Sequence, residues 1–112
     1  MDTYYVYTPA EKRERARHFR KGFRQALADC VDPKTENALA RIDRRAAERG
    51  ALEMQALITQ QADARQALAS AKAAERAAAR TDRPAAKQAR KNAEDLVRRA
   101  EAAVVKADRK RQ

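Results

Sequence analysis

Residues 51–109 contain two alanine-dense runs parted by one interruption, Thr81-Asp82-Arg83-Pro84. Alanine has the highest intrinsic helix propensity, so each run predicts a long helix, and the interruption predicts a short turn between them. In the second run Ala86, Ala89, Ala93, Leu96, Ala100, Ala103 and Ala107 follow steps of three and four, the a/d seam of a heptad. The first run answers with Leu57, Gln61, Ala64, Leu68, Ala71, Glu75 and Ala78. An antiparallel hairpin with closely spaced backbones follows. Its seam buries little apolar area per turn, because a methyl group removes less surface from water than an isobutyl group. Thr81 or Asp82 is placed to cap the last helix, with Pro84 in its first turn, where a missing N–H does least harm.

Upstream, Thr8-Pro9-Ala10-Glu11 is a capping box. Thr8 is the N-cap, Pro9 opens the helix, and Glu11 returns to the Thr8 N–H. Ala16, Phe19, Phe23, Ala26, Leu27 and Cys30 then share one face of a helix expected over residues 9–31, a face that a second helix is expected to cover. Asp32 and Pro33 restart the chain as a helix within one residue. Ile42, Ala46, Gly50, Met54 and Leu57 stay nearly in phase and no cap residue follows Gly50, so Gly50 is read as interior to a helix over residues 33–80. A glycine there costs about 1 kcal/mol relative to alanine, and a side chain crossing close at that point would be a reason to tolerate it. The alternative is a break at Gly50.

The expected architecture is all-α: a single helical domain over residues 1–112, an elongated antiparallel hairpin or three-helix, coiled-coil-like arrangement. It has an extended arm (1–8), a basic amphipathic helix (9–31), a long helix (33–80), a final helix (84–109) and a frayed tail (110–112). The arm carries Tyr4, Tyr5 and Tyr7, in a chain with only two other aromatic residues. They are expected to fold onto the first helix over Phe19 or Phe23. The alternative is stacking on bases or pairing with a second chain's arm.

The chain has a net charge of +10, which favours an anionic partner: nucleic acid, an acidic protein surface or an anionic lipid face. Where the charge sits discriminates further. At 100° per residue Arg13, Arg17, Arg20, Lys21 and Arg24 fall in one arc beside the apolar face of the first helix, while Glu11, Glu14 and Asp29 lie elsewhere. Like charges at i, i+4 repel, and nothing on that helix offsets them. Arginine predominates, and guanidinium groups suit phosphate oxygens. The row spans roughly 16 Å, enough for about two or three phosphates. A second stripe, Arg41, Arg45 and Arg49, lies on the long helix, with Arg44 placed to pair with Glu48. On the final helix Glu94 and Asp95 precede Arg98 and Arg99 by four, an ordinary solvated pattern. Lipid is set aside, because there is no Trp and the apolar arc is expected to be covered.

His18, Cys30 and Ser70 are the sole histidine, cysteine and serine, and there is no Gly-rich phosphate loop. No enzyme, metal site, cofactor or small-molecule substrate is expected. His18 is read as solvated and Cys30 as a small buried hydrophobe. No stretch approaches the roughly 18 apolar residues of a membrane span, there is no signal-like start, and one cysteine forms no internal disulfide. The cytoplasm is the expected compartment. Two functions are carried forward: a small basic protein binding nucleic-acid backbone non-specifically through the first helix, and a coiled-coil adaptor docking on an acidic protein. Self-association through the helical seams is expected in either.

Overall fold

A computed structural model describes residues 3–28 and 32–111, and every regular element among them is an α-helix. The helices are α1 (Pro9–Leu27), α2 (Pro33–Ala77) and α3 (Arg83–Arg109), so the fold is all-α. Helix α1 ends at Leu27 with Ala28 as its C-cap, short of the expected Val31, and the expected places of Cys30 on its apolar face and Asp29 away from the basic row lie outside the described residues. So do the first two residues of the arm and the last of the tail. The chain divides into two compact units, Met1–Leu52 with Arg111–Gln112, and Glu53–Lys110. α2 contributes to both, and Gly50 is interior to it.

In the first unit the capping box is complete. Thr8 Oγ1 accepts from the Glu11 N–H at 3.1 Å, and the Thr8 N–H donates to Glu11 Oε1 at 3.0 Å. Asp32 caps α2 by accepting from the Lys34 N–H at 2.9 Å. Helices α1 and α2 run antiparallel, as cross-links between Glu11 and Arg49 and between Arg15 and Asp43 require. Ile42 and Ala46 are buried, as are Thr35, Glu11 and Gly50.

The arm does not cover Phe19 or Phe23. It crosses α2: the Val6 N–H donates to the Ala46 carbonyl at 3.1 Å, and Tyr4 lies over Gly50. A Cβ built on Gly50 would overlap the Tyr4 carbonyl oxygen, and Tyr4 Cδ1 would stand 3.4 Å from it. Glycine is therefore required by a close approach, but the group that crosses is backbone where a side chain was expected.

The second unit is the expected hairpin. Arg90 pairs with Glu75, and Arg65 Nη2 lies 3.1 Å from Glu101 Oε1, which sets α3 antiparallel to the end of α2. All seven predicted seam positions from Leu57 to Ala78 are half-buried, although α2 ends at Ala77, three residues short of the expected Arg80. On α3 the phase differs. Ala86, Ala93, Ala100 and Ala107 face inward as expected and Ala103 is half-buried, but Arg90, Val97 and Val104 are also half-buried, whereas Ala89 is exposed and Leu96 is 53% exposed. Steps of four and three satisfy a heptad as well as steps of three and four do. The valines and the Glu75 partner of Arg90 decide between them. Asp82 caps α3 by position without a side-chain hydrogen bond. Glu94 turns back to Arg90 at 2.6 Å and Asp95 pairs with Arg98, replacing the forward i, i+4 pairs expected.

This seam makes a contrasting pair of substitutions informative. Ala93 is buried in the seam, so Ala93→Leu is expected to cost about 1–3 kcal/mol through overpacking. Leu96→Ala is expected to stay within about 0.5 kcal/mol, as a change at an exposed site away from the seam. Urea unfolding followed by helical circular dichroism measures both. The reverse order would restore the original phase.

Candidate nucleic-acid interface

Helix α1 turns a polar side to α2. Glu11, Glu14, Arg15, His18, Gly22 and Gln25 are its covered or half-covered residues. The face expected to be buried points outward: Phe19 is 50% exposed, Phe23 67% and Leu27 73%, with Ala16 and Ala26 exposed beside them. The arc read from spacing is real, but its covering is not. Two tertiary links hold α1 in the opposite orientation. Arg49 pairs with Glu11 and donates through Nε to the Val6 carbonyl at 3.1 Å. Arg15 Nε and the Tyr7 hydroxyl both donate to Asp43 Oδ1 at 2.8 Å. Gly22 faces Thr35, whose Cγ2 lies at an ordinary contact distance of 3.8 Å from where a Cβ would stand.

Arg13, Arg17, Arg20, Lys21 and Arg24 are all exposed, and among the described residues none of them enters an ion pair. A shallow groove between Arg13, Arg17 and Arg20 also touches Glu14, whose carboxylate lies 3.6 Å from half-buried His18. A second groove, between Phe19 and Phe23, is lined by Arg20 and Arg24, so Arg20 borders both.

The second stripe divides. Arg49 is engaged with Glu11 and the Val6 carbonyl, whereas Arg41 and Arg45 are exposed. In its place Lys34, Asn37, Arg41 and Arg44 line a groove on the outer side of α2, spaced by three and four residues. Arg44 makes no ion pair with Glu48 among the described residues. The three-and-four spacing of Lys34, Asn37, Arg41 and Arg44 is the sequence signal for this groove, masked by Glu48 standing four residues after Arg44.

The clamps have an electrostatic signature. The Arg49 guanidinium, helped by the Thr8 N–H, holds the Glu11 carboxyl at about 2, down from the ordinary 4.5. Burial works against the charge on Asp43, but the hydrogen bonds from Arg15 and Tyr7 outweigh it and keep that carboxyl below its usual value. Folding lowers both pKa values, so the stability that Glu11 brings is complete above about pH 4.5 and is lost as pH falls toward 2, and the contribution of Asp43 is likewise lost in acid. All three tyrosines are in the arm and there is no Trp, so tyrosine fluorescence should report arm release across that window. Carboxyl NMR should place Glu11 near 2, rising toward 4.5 in Arg49→Gln. A Glu11 midpoint near 4.5 in the unaltered chain would refute the clamp.

Among the described residues no helix is long and apolar enough to cross a membrane, and no group of three or more His, Cys, Asp or Glu side chains is placed to hold a metal ion. No protein-family model, curated protein or solved structure matches the chain.

Proposed function

We propose that this is a small basic helical protein of the cytoplasm that binds nucleic-acid backbone through α1, without reading base sequence. The observation that carries the reading is the outward row of Arg13, Arg17, Arg20, Lys21 and Arg24, unneutralised among the described residues. Five like charges on one exposed helix face are mutually repulsive, and a polyanion removes that repulsion while releasing its own counterions. Arg41 and Arg44 add a second, weaker attraction on α2.

A second reading is favoured by one observation. The exposed ridge of Phe19, Phe23 and Leu27 would suit a partner with apolar surface, so α1 would dock on an acidic protein. Titrating binding to generic duplex and single-stranded DNA and RNA against salt separates the two. Backbone binding predicts a log–log slope of about −2 to −3 on duplex for two or three phosphates, whereas no binding at low salt removes it. Self-association is a separate proposal. The hairpin's seam positions are half-buried within one chain, and sedimentation of the purified protein tests whether any seam is shared between copies.

A further inference from the structure

Across the first unit runs a file of planar side chains. The Tyr5 and Tyr7 rings stack with centroids 5.9 Å apart and planes 11° from parallel. The Arg15 guanidinium carbon lies 5.3 Å from the Tyr7 centroid and, on α1, 4.5 Å from the Phe19 centroid. Asp43 holds Arg15 in that place, so this arginine is a fixed layer between two rings and is not offered to a phosphate. Phe23 stands one helical turn beyond Phe19, a rise of roughly 6 Å. Both ends of the file are open, Tyr5 at 38% and Phe23 at 67% exposure.

The cations keep step with the rings. Arg20 follows Phe19 and Arg24 follows Phe23, so Phe-Arg recurs after four residues, and the four side chains line one groove. Each repeat thus presents one flat apolar surface and one guanidinium. A nucleotide presents the complement, one flat base and one phosphate. We propose that the polymer bound by α1 is single-stranded nucleic acid, its unpaired bases stacking on Phe19 and Phe23 while Arg20 and Arg24 take the adjoining phosphates. This rests on the backbone-binding reading above and narrows it.

The other occupants fit less well. In a duplex the bases are already stacked on one another, so the phosphates would be satisfied and the rings left in water. A second copy docked through this face would bring two rows of five cations together, which like charge opposes. An anionic bilayer would accept Phe19, Phe23 and Leu27, but it asks neither for planar groups nor for one cation per ring.

Fluorescence anisotropy of the full chain with a labelled 12-nucleotide single strand, the same sequence as duplex, and phosphatidylserine-containing vesicles tests this. At one salt concentration the single strand should bind at least about 10-fold more tightly than the duplex. Phe19→Leu with Phe23→Leu keeps the apolar ridge but removes the flat surfaces. That pair should weaken single-strand binding about 10- to 100-fold and leave duplex binding unchanged. Both positions are exposed, and circular dichroism at each step confirms that the fold persists. Equal affinity for both forms, with the leucine pair silent, would overturn the single-strand assignment and leave backbone binding intact. Absence of binding to either form at low salt would overturn both. Vesicle binding that survives the leucine pair, without single-strand binding, would assign the face to lipid and overturn both as well.

Discussion

Arg17→Glu combined with Arg20→Glu is expected to lower affinity for a generic duplex on the order of 100-fold at 50 mM salt, since two phosphate contacts compound over the twentyfold dilution from 1 M salt. The salt slope should flatten by about two at the same time, because two counterion-releasing contacts are gone. Neither arginine contacts α2 through an ion pair or hydrogen bond among the described residues, so helicity and unfolding midpoint should hold. Arg49→Glu is the instructive control. It would also remove positive charge, but from a residue bound to Glu11 and the Val6 carbonyl, so its effect should appear first as instability of the first unit. If Arg17→Glu with Arg20→Glu binds as the unaltered protein does, the α1 row is not the interface.

Gly50→Ala is expected to destabilise the first unit, against the direction that helix propensity predicts. In an exposed helix the change would gain about 1 kcal/mol. Here the new methyl group would overlap the Tyr4 carbonyl, a backbone atom that moves only if the whole arm moves. Release of the arm forfeits the Val6–Ala46 and Tyr7–Asp43 hydrogen bonds, at about 1 kcal/mol each, together with the contacts that bury Gly50. The net loss should be about 1–2 kcal/mol after the propensity gain is subtracted. In a chain lacking residues 1–7 the same substitution should become stabilising by about 1 kcal/mol, because only propensity remains. Urea titrations of the four proteins read that change of sign. A stabilising Gly50→Ala in the full chain would show that the arm does not cross there.

Features set by neighbours in the chain were legible in the sequence. The capping box of Thr8 and Glu11, Asp32 as an N-cap and the helical phase of Ile42, Ala46 and Gly50 each depend on residues within a turn or two, where spacing determines geometry. The position of the apolar arc on α1 was legible in the same way. Which side of α1 faces α2 was not. That choice is made by Arg49 on Glu11 and Arg15 on Asp43, 38 and 28 residues apart, and no local periodicity reports a pairing at that separation. The heptad phase on α3 failed for a related reason. Alanines at Ala86, Ala93, Ala100 and Ala107 fit either phase, so the distinction between Leu96 and Val97 rested on a partner helix. Spacing placed Glu14 away from the α1 row, but it lines the groove of Arg13, Arg17 and Arg20, although among the described residues no carboxylate forms an ion pair with the row.

The meeting of Glu75 with Arg90 bears on how the hairpin avoids sliding. Methyl groups repeated along both strands of the seam are nearly interchangeable, so shape alone distinguishes poorly between one alignment and another shifted by seven residues. A shift in one direction would set Arg90 against Leu68 and strand a guanidinium on aliphatic surface, and a shift in the other would set Glu75 against Val97 and strand a carboxylate there. One ion pair near the turn, seconded by Arg65 with Glu101 further along, thereby acts as an alignment key for two helices that would otherwise have little to tell them where to stop.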